Sequence, residues 1–174
     1  MKVFYSIASV KGPDDSKNPT NFNINGAVRP PEEESIRYSS ISILDKQKYE
    51  VIEEKEGRSA AARLSLKNRS LSAEASDGTG IYRVRDGEIL RLIGKEAKNR
   101  SEEAVPECFE SDSLPGDLYI LCSGGLEKTL SADRIFAVAE ETDRIQEIAS
   151  ALQKAAVTAG CGESLTVLAI RREL

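Results

Sequence analysis

The sequence contains no histidine. That absence removes at once a Ser-His-Asp triad, a Cys-His dyad and any His-ligated zinc site. Any chemistry would fall to carboxylates and a hard, oxygen-preferring metal ion. Cysteine is scarce too. Cys108, Cys122 and Cys161 stand far apart, and without paired spacing they form neither a disulfide framework nor a zinc motif. No basic partner lies near Cys122 or Cys161 in sequence, so both read as small core residues rather than nucleophiles. Long apolar runs are missing, which leaves nothing able to cross a bilayer. The segment Met1 to Tyr5 has no apolar h-region and no small-residue cleavage site, so no signal peptide is read and a cytoplasmic location is the expectation. A long basic run is missing as well, and the formal charge is −5. Nucleic acid needs a counterion-releasing surface of Lys and Arg. Arg83, Arg85 and Arg91 form a local basic patch, yet neither a nucleic acid nor a membrane is expected as a partner.

What is present suits one domain over residues 1–174, with 40% hydrophobic and 30% charged residues. Lys2 to Val10 reads as a strand ending at Lys11-Gly12-Pro13. Phe22 to Ala27 reads as a short strand and Ile36 to Leu44 as a half-buried one. An antiparallel meander follows: Ala61 to Leu66, Ser70 to Ala75, Gly80 to Val84 and Glu88 to Ile93 are separated by Asn68-Arg69, Asp77-Gly78 and Asp86-Gly87. Lys95 to Leu114 is polar, carries Pro106 and reads as an irregular surface segment. Asp117 to Ser123 is nearly all apolar, which implies a strand covered on both faces. A helix is expected over Ala132 to Glu140. Ile145, Ile148, Ala149, Leu152 and Ala156 define the face of another, with Asp143 and Gln146 as a capping pair and Gly160 at its end. Leu165 to Ile170 closes the chain as a buried strand. Strands, then helices, then a strand imply an α+β domain or a β-sandwich with helices on a face. The runs Glu32-Glu33-Glu34 and Glu53 to Glu56 read as solvated surface.

Several segments then carry a resemblance. Gly116-Asp117-Leu118-Tyr119-Ile120-Leu121-Cys122-Ser123-Gly124-Gly125-Leu126 resembles the Gly-Asp-…-Leu-Cys-Ser-Asp-Gly-Leu segment of the PPM-type (type 2C) metal-dependent Ser/Thr protein phosphatases. Gly160-Cys161-Gly162-Glu163-Ser164-Leu165-Thr166-Val167 is similar to that family's closing Gly-Gly-x-Asp-Asn-x-Thr-Val. Asp77 to Glu88 resembles its Gly-Asp-Ser-Arg-x-Tyr-…-Asp-Gly hairpin. Gly12, Asn18 and Phe22 match its Gly-x-x-Arg-x-x-Asn-Glu-Asp opening, and Ile41 to Asp45 the strand that leads to an Asp-Gly-Met-Gly-Gly turn. The resemblance implies two antiparallel sheets face to face with helices outside, and two divalent cations held by carboxylates at one end, where a bridging water attacks phosphorus.

The departures lie at the site. Residue by residue, the ligand positions fall on Thr20, Asp45, Gly124 and Glu163, so two carboxylates remain where the family's motifs carry four. Each lost contact between a carboxylate and a cation is worth ~4 kcal/mol at an effective dielectric of ~20, so a tightly held metal pair is not expected. The opening arginine, which would clamp phosphate, falls on Asp15, whose charge repels that group. The resemblance thus implies a degenerate, shortened, pseudophosphatase-like domain with no catalytic residue and no cofactor, acting as a binding or regulatory protein in phospho-signalling. Two alternatives stand beside it. One is a weak phosphoprotein phosphatase with loosely bound Mn or Mg, using Asp45, Glu163 and another carboxylate such as Asp77. The other is a self-assembling structural subunit. The thirteen residues from Lys46 to Arg58 are too few for the pair of long helices that follows the family's Asp-Gly-Met-Gly-Gly turn, and would form a short strand or a turn. A missing helical layer would bare an apolar sheet face, to be covered by a protein partner or by a second copy in a homodimer.

Overall fold

The structure is a computed structural model that describes residues 1–13, 15, 17–29, 36–43, 46–76, 78–93 and 107–173. In chain order the strands are β1 (Lys2–Val10), β2 (Thr20–Ile24), β3 (Ala27–Arg29), β4 (Ile36–Ile43), β5 (Lys46–Lys55), β6 (Arg58–Lys67), β7 (Ser70–Ala75), β8 (Gly80–Arg85), β9 (Glu88–Ile93), β10 (Glu107–Asp112) and β11 (Leu118–Cys122). Helices α1 (Gly124–Thr129), α2 (Ala132–Glu140) and α3 (Ile145–Thr158) follow, and β12 (Leu165–Glu173) ends the fold. One sheet has the order β4-β1-β12-β11-β8-β9 and the other β10-β7-β6-β5-β2-β3, every pairing being antiparallel.

Alternation along the central strands makes two cores. On β11, Tyr119 and Leu121 point to the second sheet, whereas Leu118, Ile120 and Cys122 point to the helices. β12 divides in the same way, with Leu168 and Ile170 on one side and Val167 and Ala169 on the other. That double burial explains the near-continuous apolar runs read in both segments. Among the described residues all three helices pack on the first sheet, through Ile135, Ile148, Leu152 and their neighbours. The result is an α+β sandwich that, among the described residues, carries helices on one side only.

Several sequence expectations need correction. The strands from Ala61 to Ile93 are not one antiparallel meander but two hairpins, β6-β7 and β8-β9, which lie in different sheets. Phe22 to Ala27 is not one strand but the hairpin β2-β3, turning at Asn25-Gly26 with both φ positive (53° and 89°). β10 occupies part of the segment read as irregular, and its polar sequence suits the sheet edge it forms. Ser123 to Thr129 contributes the separate helix α1. Asp143 and Gln146 do not cap α3, whose N-cap is Arg144 with no side-chain bond. Lys46 to Arg58 is β5 and a two-residue turn, Glu56-Gly57, with φ of 53° and 74°. That turn joins β5 directly to β6, so no room remains for helices between them.

The outer face of the second sheet is not the apolar patch expected of a missing layer. Its rungs carry polar side chains bonded across strands. Asn23 Nδ2 donates to Glu50 (2.7 Å), Arg63 Nε donates to the other Glu50 oxygen (2.7 Å), and Arg63 also lies 3.9 Å from Glu74. Lys46, Lys48, Ser65 and Lys67 extend the same face. The hydrophobic argument for covering this face with a second copy therefore does not apply.

Asp117 fixes the approach to β11. Its side chain is fully buried and accepts from Arg85 (2.6 and 2.8 Å), from the Leu114 N–H (2.7 Å) and from the Tyr119 hydroxyl (2.7 Å). Arg85 also bonds Asp112 (3.0 Å), Arg83 lies 3.7 Å from Asp112, and Arg91 bonds Glu127 (2.7 Å). The arginines of the local basic patch are thus each paired within the fold. Replacing Asp117 with Ala is expected to destabilise the protein by about 3 kcal/mol, because Arg85 keeps a half-buried charge without its main partner. Urea denaturation measures this, and a loss below about 1 kcal/mol would contradict the role assigned to Asp117.

Candidate functional site

The motif-bearing segments meet at one end of the sandwich. β1 delivers Ser9, β2 begins at Thr20, β5 carries Glu53 directly opposite Thr20, and β12 brings Thr166 opposite Ser9. Ser123 and Gly124 lie at the β11-α1 junction. The closing loop brings Glu163 and Ser164 alongside. Gly12 is required there by space, since a Cβ on it would lie 2.5 Å from the Ser164 nitrogen.

A buried hydroxyl network occupies the floor. The Thr20 hydroxyl is 2.5 Å from Thr166 Oγ1 and donates to Asn18 Oδ1 (2.6 Å). Ser9 Oγ is 2.6 Å from Thr166 Oγ1 and accepts from Asn18 Nδ2 (2.9 Å). Ser123 Oγ accepts from the Thr166 N–H (3.0 Å). Ser9, Thr20, Ser123 and Thr166 are all fully buried. Every member has a partner within the chain, as burial of polar groups demands.

Above this floor lie the charged groups. Glu53 Oε2 accepts from the Gly124 N–H (3.0 Å). A Cβ built on Gly124 would lie 3.2 Å from that oxygen and 3.8 Å from Lys128 Cε. Lys128 Nζ donates to both oxygens of Glu163 (2.8 and 2.9 Å). Asp15 accepts from both the N–H (3.0 Å) and the hydroxyl (2.5 Å) of Ser164, and Lys55 lies 3.9 Å away. Burial raises the Asp15 pKa, but the two bonds from Ser164 and the charges of Lys55 and Lys11 outweigh it and hold the carboxyl below its ordinary value.

The structure therefore brings together Thr20, Gly124, Glu163 and Asp15 from among the residues singled out in sequence. Asp45 and Asp77 lie outside the described residues. β4 ends at Ile43, which pairs with Lys2 at the opposite end of β1 from Ser9. The strand that faces Thr20 and leads into a tight turn is β5, and its site carboxylate is Glu53. Sequence reasoning placed Glu53 in a solvated acidic run. The signal that could have found it is Glu56-Gly57, a turn dipeptide just before the strand of the meander.

Glu127, buried and beside this end on α1, also escaped notice. Burial raises its pKa, while Tyr82, Arg91 (2.7 Å) and Cys122 (3.8 Å) act in the other direction. Its Oε1 fills the space that a Cβ on Gly80 would need. The thiol of Cys122 is pushed well up by burial, which accords with a packing role.

Comparison with known proteins gives the fold independently. No family model matches the chain, and no curated protein matches it by sequence. Among solved structures, the serine/threonine phosphatase PstP/Ppp of Mycobacterium tuberculosis superposes with a TM-score of 0.74, at 12% identity over 100% of both chains. The phosphatase domain of SpoIIE from Bacillus subtilis matches with a TM-score of 0.69, at 12% identity over 97% of this chain and 91% of that one. PppA, described as a key regulatory component of the T6SS in Pseudomonas aeruginosa, matches with a TM-score of 0.58 and 21% identity. That match covers 65% of this chain and only 56% of PppA. The chain has the fold of the PPM-type Ser/Thr phosphatases.

That fold implies a pair of divalent cations, and the donors among the described residues do not fit one. Thr20 offers a hydroxyl already engaged by Asn18 and Thr166, Gly124 offers no side chain, Glu53 accepts from the Gly124 N–H, and Glu163 is held by an ammonium. Among the described residues no group of three His, Cys, Asp or Glu side chains converges on one point. Two dications need several anionic oxygens to offset their mutual repulsion.

Asp15 gives the site a pH signature. Its carboxyl, lowered in the folded state, contributes stability that is fully present above the unfolded value near 3.8 and is lost as pH falls through the lower native value. Asp15→Asn is expected to remove that part of the acid-limb slope, measured by denaturation between about pH 2 and 5. An unchanged slope would contradict the assignment.

Proposed function

We propose that residues 1–174 form a non-catalytic, phosphatase-like domain that acts as a cytoplasmic binding or regulatory protein in phospho-signalling, without a metal cofactor. One observation carries the reading: an ammonium, Lys128, sits on Glu163 beside Gly124, at the end of the sandwich where the fold implies a cation. In this reading Thr20, Gly124, Glu53 and Glu163 are vestiges of a metal site. Asp15, serving Ser164 rather than a phosphate, agrees with it. No helix among the described residues is long and apolar enough to cross a membrane, which is compatible with the cytoplasm. The regulatory role in PppA's description lends the reading precedent by analogy of fold alone. A protein partner is the expected ligand, and no nucleic acid, since Arg83, Arg85 and Arg91 are engaged internally.

A weak Mn- or Mg-dependent phosphatase is the second reading, favoured by the presence of two carboxylates, Glu53 and Glu163, at one end. The purified chain incubated with Mn²⁺ and an aryl phosphate separates the two. No turnover above the metal-only control is expected. Turnover abolished by Glu53→Ala would establish the second reading and overturn the first. Lys128→Ala is expected to strengthen Mn²⁺ binding measured by calorimetry, by roughly tenfold or more, because it removes a competing cation from Glu163. Equal or weaker binding would show that Lys128 does not hold the cation's place.

A further inference from the structure

A second concavity lies on the helical side of the fold, between the α1-α2 corner and the last turns of α3. It is a groove of about 560 Å³. Two cationic side chains on different helices line it, Arg134 from α2 and Lys154 from α3. Neither forms an ion pair with a carboxylate among the described residues, and no acidic residue lines the groove. In a chain of net charge −5 such a pocket is not the background condition of the surface. Unshared cations facing one concavity repel each other unless an anion joins them.

The hydroxyls on the same walls are not equivalent. Thr129 has spent its proton on the Gly125 carbonyl (2.7 Å). Ser131 accepts from the Arg134 N–H (3.2 Å) and keeps its own proton to donate. Thr158 lines the opposite wall. The floor is apolar, formed by Leu130, which is 6% exposed, and Ala155. A guanidinium, an ammonium and a hydroxyl donor above an apolar floor match a dianionic tetrahedral group joined to a hydrocarbon portion.

We propose that this groove binds a phosphate monoester, with Arg134 and Lys154 sharing its charge, Ser131 donating to an oxygen and Leu130 receiving the apolar part. The site holds no carboxylate, so it binds without cleaving. The proposal is independent of whether the candidate site around Gly124 and Glu163 is catalytic. The monoester could be carried by a phosphorylated peptide or by a small molecule, and the experiment distinguishes these.

The test is a titration of the ¹⁵N-labelled full chain with phenyl phosphate, inorganic phosphate, and a phosphoserine peptide beside its unphosphorylated form, followed by amide shifts. Saturating shifts confined to residues around 129–134 and 154–159 are expected, phenyl phosphate binding more tightly than inorganic phosphate. The double variant Arg134→Ala/Lys154→Ala changes only exposed side chains and is checked for an otherwise unaltered spectrum. It should bind at least roughly tenfold more weakly. A phosphopeptide that binds more tightly than phenyl phosphate supports a peptide source, and equal affinity supports a small molecule. Shifts absent at saturating probe, located elsewhere, or undiminished in the double variant would overturn the proposal.

Discussion

The fold depends on the antiparallel pairing of β12 with β1 on one side and β11 on the other. The last strand of the fold is thereby inserted between the first and the eleventh, and its alternate residues close both cores. Nine consecutive residue pairs join β1 to β12, from Lys2–Glu173 to Val10–Leu165. Neither core is complete without this long-range pairing, which joins residues more than 150 positions apart. Contacts of that separation impose a large loop-closure cost and belong to slow, cooperative folding. The same pairing fixes the functional end, because it sets Ser9 opposite Thr166 and brings the loop holding Glu163 against Gly12.

Much of this was legible in the sequence, for physical reasons that differ by element. β11 and β12 are buried on both faces, so their composition alone revealed them. The β6-β7 and β8-β9 hairpins were legible from their turn dipeptides, where Asp86 and Gly87 take the positive φ that the two-residue turn requires, but a turn signal does not tell a hairpin from a crossing between sheets, which is what joins β7 to β8. α2 and α3 were legible from periodicity. The site was legible only in part. Thr20, Gly124, Glu163 and Asp15 sit in motifs whose glycines and strands fix the register. Glu53 was missed because the helices that would separate β5 from β6 are absent. Without them the strand and its turn lost the sequence context that marks them, and Ile41 to Asp45 offered a closer letter match. Pairing partners, which a single sequence does not display, decide the matter: β5 faces Thr20, and the C-terminal end of β4 meets the opposite end of β1 from Ser9.

The exposed sheet illustrates a related limit. Deleting a layer suggests a bare hydrophobic surface, but a strand can exchange one face while keeping the other. On β5, Tyr49 and Val51 remain fully buried, while their outward neighbours include Lys48 and Glu50. The Asn23-Glu50-Arg63-Glu74 ladder then supplies cross-strand hydrogen bonds and charge pairing where helix packing is lacking. The contribution of each exposed pair is small, and its larger effect is to keep the face wetted and the sheet free of apolar patches.

Charge balance links that surface to the far end. Removing two dications from a site while leaving its full set of carboxylates would leave like charges in close contact, a cost felt at every pH where they ionise. In this chain no such cluster of carboxylates stands among the described residues. Thr20 and Gly124 carry no charge, Glu163 is neutralised by Lys128, and Asp15 faces Lys55 and the donors of Ser164. Glu53 takes a backbone N–H as its partner at Gly124. Each remaining anion therefore has a donor within the chain itself. A site completed internally in this way is stable without an ion, and the same completion weakens the attraction it can exert on one. On the reading proposed above, weak cation binding and stability without metal would follow from one set of internal contacts.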